Sequence, residues 1–139
     1  MSSQREFDTT LARQALSNGL AENKRSARKS NETLIRQKQF KIHSTRRRIA
    51  EIEVMIADFD GMTNALETEI HVEQKRARFD DPSHFAFPLY AKALIARRDN
   101  LKLSVERLKH LLDDTKDALT EALFEVEAAS DLGTMLAAS

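Results

Sequence analysis

Cysteine and tryptophan are absent from this chain, and its 139 residues include only three glycines and two prolines. Without cysteine there is no disulfide, no thiolate metal site and no thiol nucleophile, which suits a reducing compartment. Three isolated glycines cannot build a phosphate cradle, and neither GxxxxGK(S/T) nor GxGxxG occurs. No apolar run approaches the roughly 20 residues that span a bilayer. The start Met1-Ser2-Ser3-Gln4-Arg5-Glu6 lacks the apolar stretch of a secretory signal, so the expected location is the cytoplasm. No serine stands beside a plausible His–carboxylate pair. The histidines His43, His71, His84 and His110 show no metal-ligand spacing; Glu67 with His71 and His110 with Asp114 read as solvated pairs one turn apart. No catalytic residue, metal or cofactor is expected, and the chain reads as a non-enzyme.

What is present is charge and a repeat. Charged residues make up 32% of the chain and balance to a net charge of zero, yet residues 1 to 48 hold 12 Lys/Arg against 4 Asp/Glu and the remainder 10 against 18. Such asymmetry either faces inward, one half against the other, or marks a basic arm for an acidic partner.

Residues 35, 42, 45, 49, 52, 56, 59, 63, 66 and 70 are apolar or Thr, a seven-residue repeat interrupted within the seam only by Lys38 and Glu73. It restarts at Leu94, Leu101, Val105, Leu108, Leu112, Thr115, Leu119, Ala122 and Val126. The spacing predicts an all-α fold, an antiparallel two-helix coiled-coil hairpin, with helices over 31–79 and 88–131 and a turn over 80–88. Ser30 or Asn31 suits the first N-cap, with Glu32 favourable in the first turn. Gly61 falls at an outward position and costs about 1 kcal/mol relative to Ala without breaking the seam. Residues 1–30, with sparse Phe7, Leu11, Leu16 and Leu20 around Gly19, read as a flexible, poorly ordered basic arm, because a short isolated helix is marginal in water. Residues 132–139 read as a frayed tail.

Both prolines lie in Phe79-Asp80-Asp81-Pro82-Ser83-His84-Phe85-Ala86-Phe87-Pro88-Leu89-Tyr90. Each restricts the residue before it, and Pro88 suits the first turn of a helix. Phe79, Phe85, Phe87, Leu89 and Tyr90 make this segment too apolar for a plain loop; it either caps the helix ends or docks a partner. A turn centred on His84 sets Ile70 against Arg98, Thr63 against Val105, Ile56 against Leu112, Ile49 against Leu119 and Ile42 against Val126. It also brings Arg46, Arg47 and Arg48 beside the region of Glu121, a pairing that favours antiparallel over parallel association.

A basic stretch ahead of heptads also suggests a zipper-type DNA reader. Ile35 and Ile42 carry the apolar repeat into that basic region, and helix two already supplies a partner, so no nucleic acid is expected.

Arg46-Arg47-Arg48-Ile49-Ala50-Glu51-Ile52-Glu53-Val54-Met55-Ile56-Ala57-Asp58-Phe59, then Asp81-Pro82-Ser83-His84-Phe85-Ala86-Phe87-Pro88, Tyr90-Ala91-Lys92-Ala93 and Arg97-Arg98-Asp99-Asn100-Leu101 resemble the flagellar export protein FliJ family of alphaproteobacteria. The resemblance covers roughly residues 31 to 130, and its most specific mark is the DPxHFAxP turn. It implies a stalk-like antiparallel coiled coil at the cytoplasmic face of the flagellar type III export machine, peripheral to the cell membrane. The implied partners are the export ATPase ring, the membrane export gate protein and export chaperones, in delivery of flagellar subunits for motility. By analogy with a rotary stalk, the open helix ends would enter the ring, with Arg46, Arg47, Arg48, Glu121 and Glu125 as candidate ATPase-binding residues. Phe85, Phe87 and Tyr90 are candidates for docking at the tip. The alternative is a generic coiled-coil scaffold or adaptor outside flagella.

Overall fold

In a computed structural model the described residues are 2–77 and 89–138, and all of them are helical: α1 spans Ser2–Ala77 and α2 spans Leu89–Ala138. The two helices pack on each other as a hairpin. The chain divides into two compact units, Ser44–Leu119 and the pair Met1–His43 with Thr120–Ser139.

The repeat dictates burial. From Ile35 to Glu73, every residue of α1 that is not exposed lies on the predicted seven-residue series. On α2 the series from Ala91 through Ala129 is likewise buried or half-buried, with Lys92, Ile95, Ser104 and Glu125 flanking it.

In the unit Ser44–Leu119, Ile52 is fully buried and Leu66, Ile70 and Leu94 form one buried cluster, against which Ile95 and Leu101 pack. Thr63 is buried on the seam; its hydroxyl donates to the Phe59 carbonyl at 2.9 Å, so the polar atom is satisfied one turn back on its own helix. Glu67 and Lys102 close one flank at 2.9 Å.

Here part of the expected register is seen, since Leu101 packs against the cluster that holds Leu66 and Thr63 and Val105 border one hollow. Ile70 shares its cluster with Leu94, and Arg98 instead bonds Asp99 with two of its guanidinium nitrogens at 3.1 Å. A seam residue packs into a hole between several residues of the facing helix, so Ile70 reaches Leu94 one turn from the expected level of Arg98.

In the unit Met1–His43 with Thr120–Ser139, Asn31, Ile42, Ala122 and Ala129 are the buried residues. Asn31 lies within α1 rather than capping it, and its side-chain amide donates to the Ala129 carbonyl at 2.8 Å. Gly133 lies against the same amide: a Cβ at this glycine would stand 3.0 Å from Asn31 Nδ2.

Two expectations are corrected. Residues 2–30, expected to form a poorly ordered arm, are helical, as a continuation of α1. They contain no proline, and extending an existing helix avoids the nucleation cost that makes the segment marginal alone. The 132–138 stretch is helical rather than frayed, with Gly133 half-buried and Leu136 half-buried. The expected end of α1 at residue 79 lies outside the described residues. The expected turn over 80–88 lies outside the described residues, and with it Phe85 and Phe87.

Candidate partner-binding surfaces

The candidate residues are divided between the two units. Arg46, Arg47 and Arg48 belong to the unit Ser44–Leu119, and all three are exposed on α1. The series places Ile49 on the seam and the three arginines off it, so one turn of helix presents three cations to solvent.

Glu121 and Glu125 belong to the other unit. Glu121 is exposed, whereas Glu125 is half-buried and forms an ion pair with Lys38. The Lys38 ammonium, by hydrogen bond first and by its charge as well, holds the Glu125 carboxyl below the usual carboxylate range. Lys38 occupies a seam position; its stem covers apolar surface while its head reaches the edge. Glu125 is thus a wall of a groove as much as a surface charge. Asn31, Leu34, Lys38, Glu125, Ala128, Ala129 and Leu132 line that groove, with the ion pair at one end and apolar side chains along the rest. Leu34 and Leu132 are both exposed. The small residues Ala122, Ala129 and Gly133 make this part of the seam thin, and the exposed Phe124 and Met135 continue the apolar surface along α2.

Of the tip residues, Tyr90 is described. It is exposed near the start of α2, and its hydroxyl donates to the Glu69 carboxylate, which raises the phenol above its ordinary range. The lost proton would leave two anions facing each other. Leu89 beside it is 83% exposed, the most exposed large apolar side chain among the described residues, which gives the first turn of α2 an apolar surface with one polar tie to α1.

His43, His71 and His110 are exposed, and among the described residues no three His, Asp or Glu side chains are grouped as metal ligands. No described helix is long and apolar enough to cross a membrane.

Asn31 was expected as an N-cap and Lys38 as an interruption of the seam, neither as part of a groove. A signal for Asn31 existed: it stands one heptad before Lys38, so the seam series already runs through it. No protein-family model matches the chain, and no curated protein or solved structure shows significant similarity to it.

Proposed function

We propose that this chain is a non-enzymatic, stalk-like component of the flagellar type III export apparatus, cytoplasmic and peripheral to the membrane. In this reading it binds the export ATPase ring and the membrane export gate and assists delivery of flagellar subunits and their chaperones. The observation that carries the reading is the antiparallel helical hairpin, which matches the fold implied by the DPSHFAFP resemblance. A hairpin of two helices is thin enough to sit inside a protein ring, and it has no interior for an enzyme pocket.

The surfaces give this role its chemistry. Arg46, Arg47 and Arg48 offer bidentate donors to carboxylates of a ring, and Glu121 offers the opposite charge. Such rim charges act mainly on encounter rate and orientation. Tyr90, with Phe85 and Phe87, is assigned to a second partner.

The test is hydrolysis by the cognate export ATPase with and without this protein, together with co-purification of the two. Stimulation with co-purification is expected, and Arg47→Glu and Glu121→Arg are expected to reduce it more than Tyr90→Ala does. Loss through tip substitutions alone reverses the assigned polarity. No binding to an assembled ring favours the generic coiled-coil scaffold instead.

A further inference from the structure

Between Lys24 and Lys41, α1 carries seven Lys/Arg against one acidic residue, Glu32. All seven are exposed except Lys38, which is half-buried and paired with Glu125. Arg28 borders a hollow with Ala137, and Lys38 meets Glu125, so this stretch lies level with the last turns of α2. There α2 carries Glu125, Glu127 and Asp131 and no Lys or Arg, which leaves the level three positive charges in excess. Among the described residues none of Arg25, Arg28, Lys29 and Arg36 has an ion-pair partner.

The excess is concentrated on one side of the unit Met1–His43 with Thr120–Ser139. The groove side of the seam holds Leu34, Glu125 and Leu132. On the opposite side a second hollow is bordered by Arg28, Glu32, Ser130, Thr134 and Ala137, so α2 offers hydroxyl and small side chains to it. Lys29 and Arg36 recur one heptad apart on that side. Arg25 stands one turn before Lys29, and Phe40, 75% exposed, one turn after Arg36. The line from Arg25 to Phe40 runs about 22 Å along the helix, and its one acidic member is Glu32.

A partner for this side has to be anionic, extended and able to receive an aromatic ring. A nucleic-acid groove that encloses the helix would also bring its phosphate walls up beside Glu127 and Asp131 of α2. A bilayer surface is flat and meets the cations from one side only. The long stems of Arg and Lys let their charges reach one plane, and a phenyl ring is favourable at the boundary between headgroups and acyl chains.

We propose that this side of the unit lies on an anionic phospholipid surface, with Arg25, Arg28, Lys29 and Arg36 at lipid phosphates and Phe40 at the headgroup boundary. The contact is electrostatic, reversible and weakened by salt. The inference does not rest on the export reading. Vesicle binding without effect on the ATPase removes only the export role, and ATPase stimulation without vesicle binding removes only the membrane contact.

The full-length protein is sedimented with vesicles of phosphatidylcholine alone and of equal parts phosphatidylcholine and phosphatidylglycerol. Binding is expected to the mixed vesicles only, and to fall as salt rises. Arg25→Gln with Lys29→Gln and Arg36→Gln is expected to weaken it about 100-fold, roughly fivefold for each charge. Arg97→Gln with Arg107→Gln and Lys109→Gln removes the same charge from exposed positions of the other unit and is expected to leave binding near the parent value. All six positions are exposed, so both variants should keep the parent's circular dichroism. Phe40→Ser is expected to weaken binding severalfold. Equal losses in the two triple variants, or no binding to the mixed vesicles at low salt, overturn the proposal. Binding of duplex DNA that outlasts vesicle binding as salt rises also overturns it and assigns this side to nucleic acid.

Discussion

The unit Ser44–Leu119 and the unit Met1–His43 with Thr120–Ser139 are built on the same repeat and spend it differently. In the first, the seam is filled with large aliphatic side chains around Ile52, Leu66, Ile70 and Leu94. In the second, Ile35, Ile42 and Val126 share the seam with the small Ala122, Ala129 and Gly133, the amide of Asn31 and the ammonium of Lys38. Apolar area sets stability, so the first holds the fold. A small and polar seam buries less and instead fixes which residues lie level, because only one alignment satisfies the amide. Both units also carry exposed apolar side chains, such as Val54 and Leu103 in the first and Phe124 and Met135 in the second.

The largest expected effect comes from Ile52→Ala. It removes a fully buried side chain and is expected to lower the unfolding free energy by about 2–5 kcal/mol, read by urea denaturation. Phe124→Ala, at a 68% exposed position of the other unit, is expected to stay within about 0.5 kcal/mol of the parent. Equal losses would erase the contrast.

Asn31→Ala should cost about 0.5–1.5 kcal/mol, the net value of the bond to the Ala129 carbonyl. The two glycines give a smaller and sharper comparison. Gly61 has open space where a Cβ would stand, so Gly61→Ala should stabilise by about 1 kcal/mol through helix propensity. Gly133→Ala should gain less, since its Cβ presses on the Asn31 amide. In an Asn31→Ala background the gain at position 133 should recover, and the coupling is read from the four-variant cycle.

The smallest effect is in pH. The Lys102 ammonium lowers the Glu67 carboxyl, by its hydrogen bond foremost, and Lys38 lowers Glu125. Both folded values lie below the unfolded one. Their contribution is therefore present above the unfolded carboxylate range and is lost as pH falls through the folded values. Thermal melts of Glu67→Gln should accordingly differ from the parent at neutral pH and converge with it in acid; a difference that grows in acid would reverse the assigned sign.

The sequence carried the two helices and the seam almost residue by residue, because period and burial are the same fact seen twice: the series from Ile35 to Glu73 is the buried series. Register was less legible. Proline position located the turn and Leu66 shares its cluster with Leu101 as expected, but the same cluster also joins Ile70 to Leu94, a contact that pairing residue by residue does not list. Asn31 was hidden by its own chemistry, since a residue type that favours N-caps also serves as a buried polar tie. The helix over residues 2–30 could not be read locally, because its propensity is marginal and its continuity is inherited from the longer α1. Of the candidate site residues, Glu125 was found for its charge, but its pairing with Lys38 and its place in a groove depend on contacts between helices that no local pattern encodes.

The measurement that bears most directly on this division of roles is hydrogen exchange of the chain alone and with the assembled export ATPase. Slow exchange is predicted around Ile52 to Ile70 and Leu94 to Leu112, and faster exchange from Asn31 to Ile42 and Ala122 to Leu136. On the proposed reading the ATPase should protect the latter pair together with the turn of Arg46, Arg47 and Arg48. Protection confined to the start of α2 near Tyr90, or uniform exchange along both helices, would contradict it.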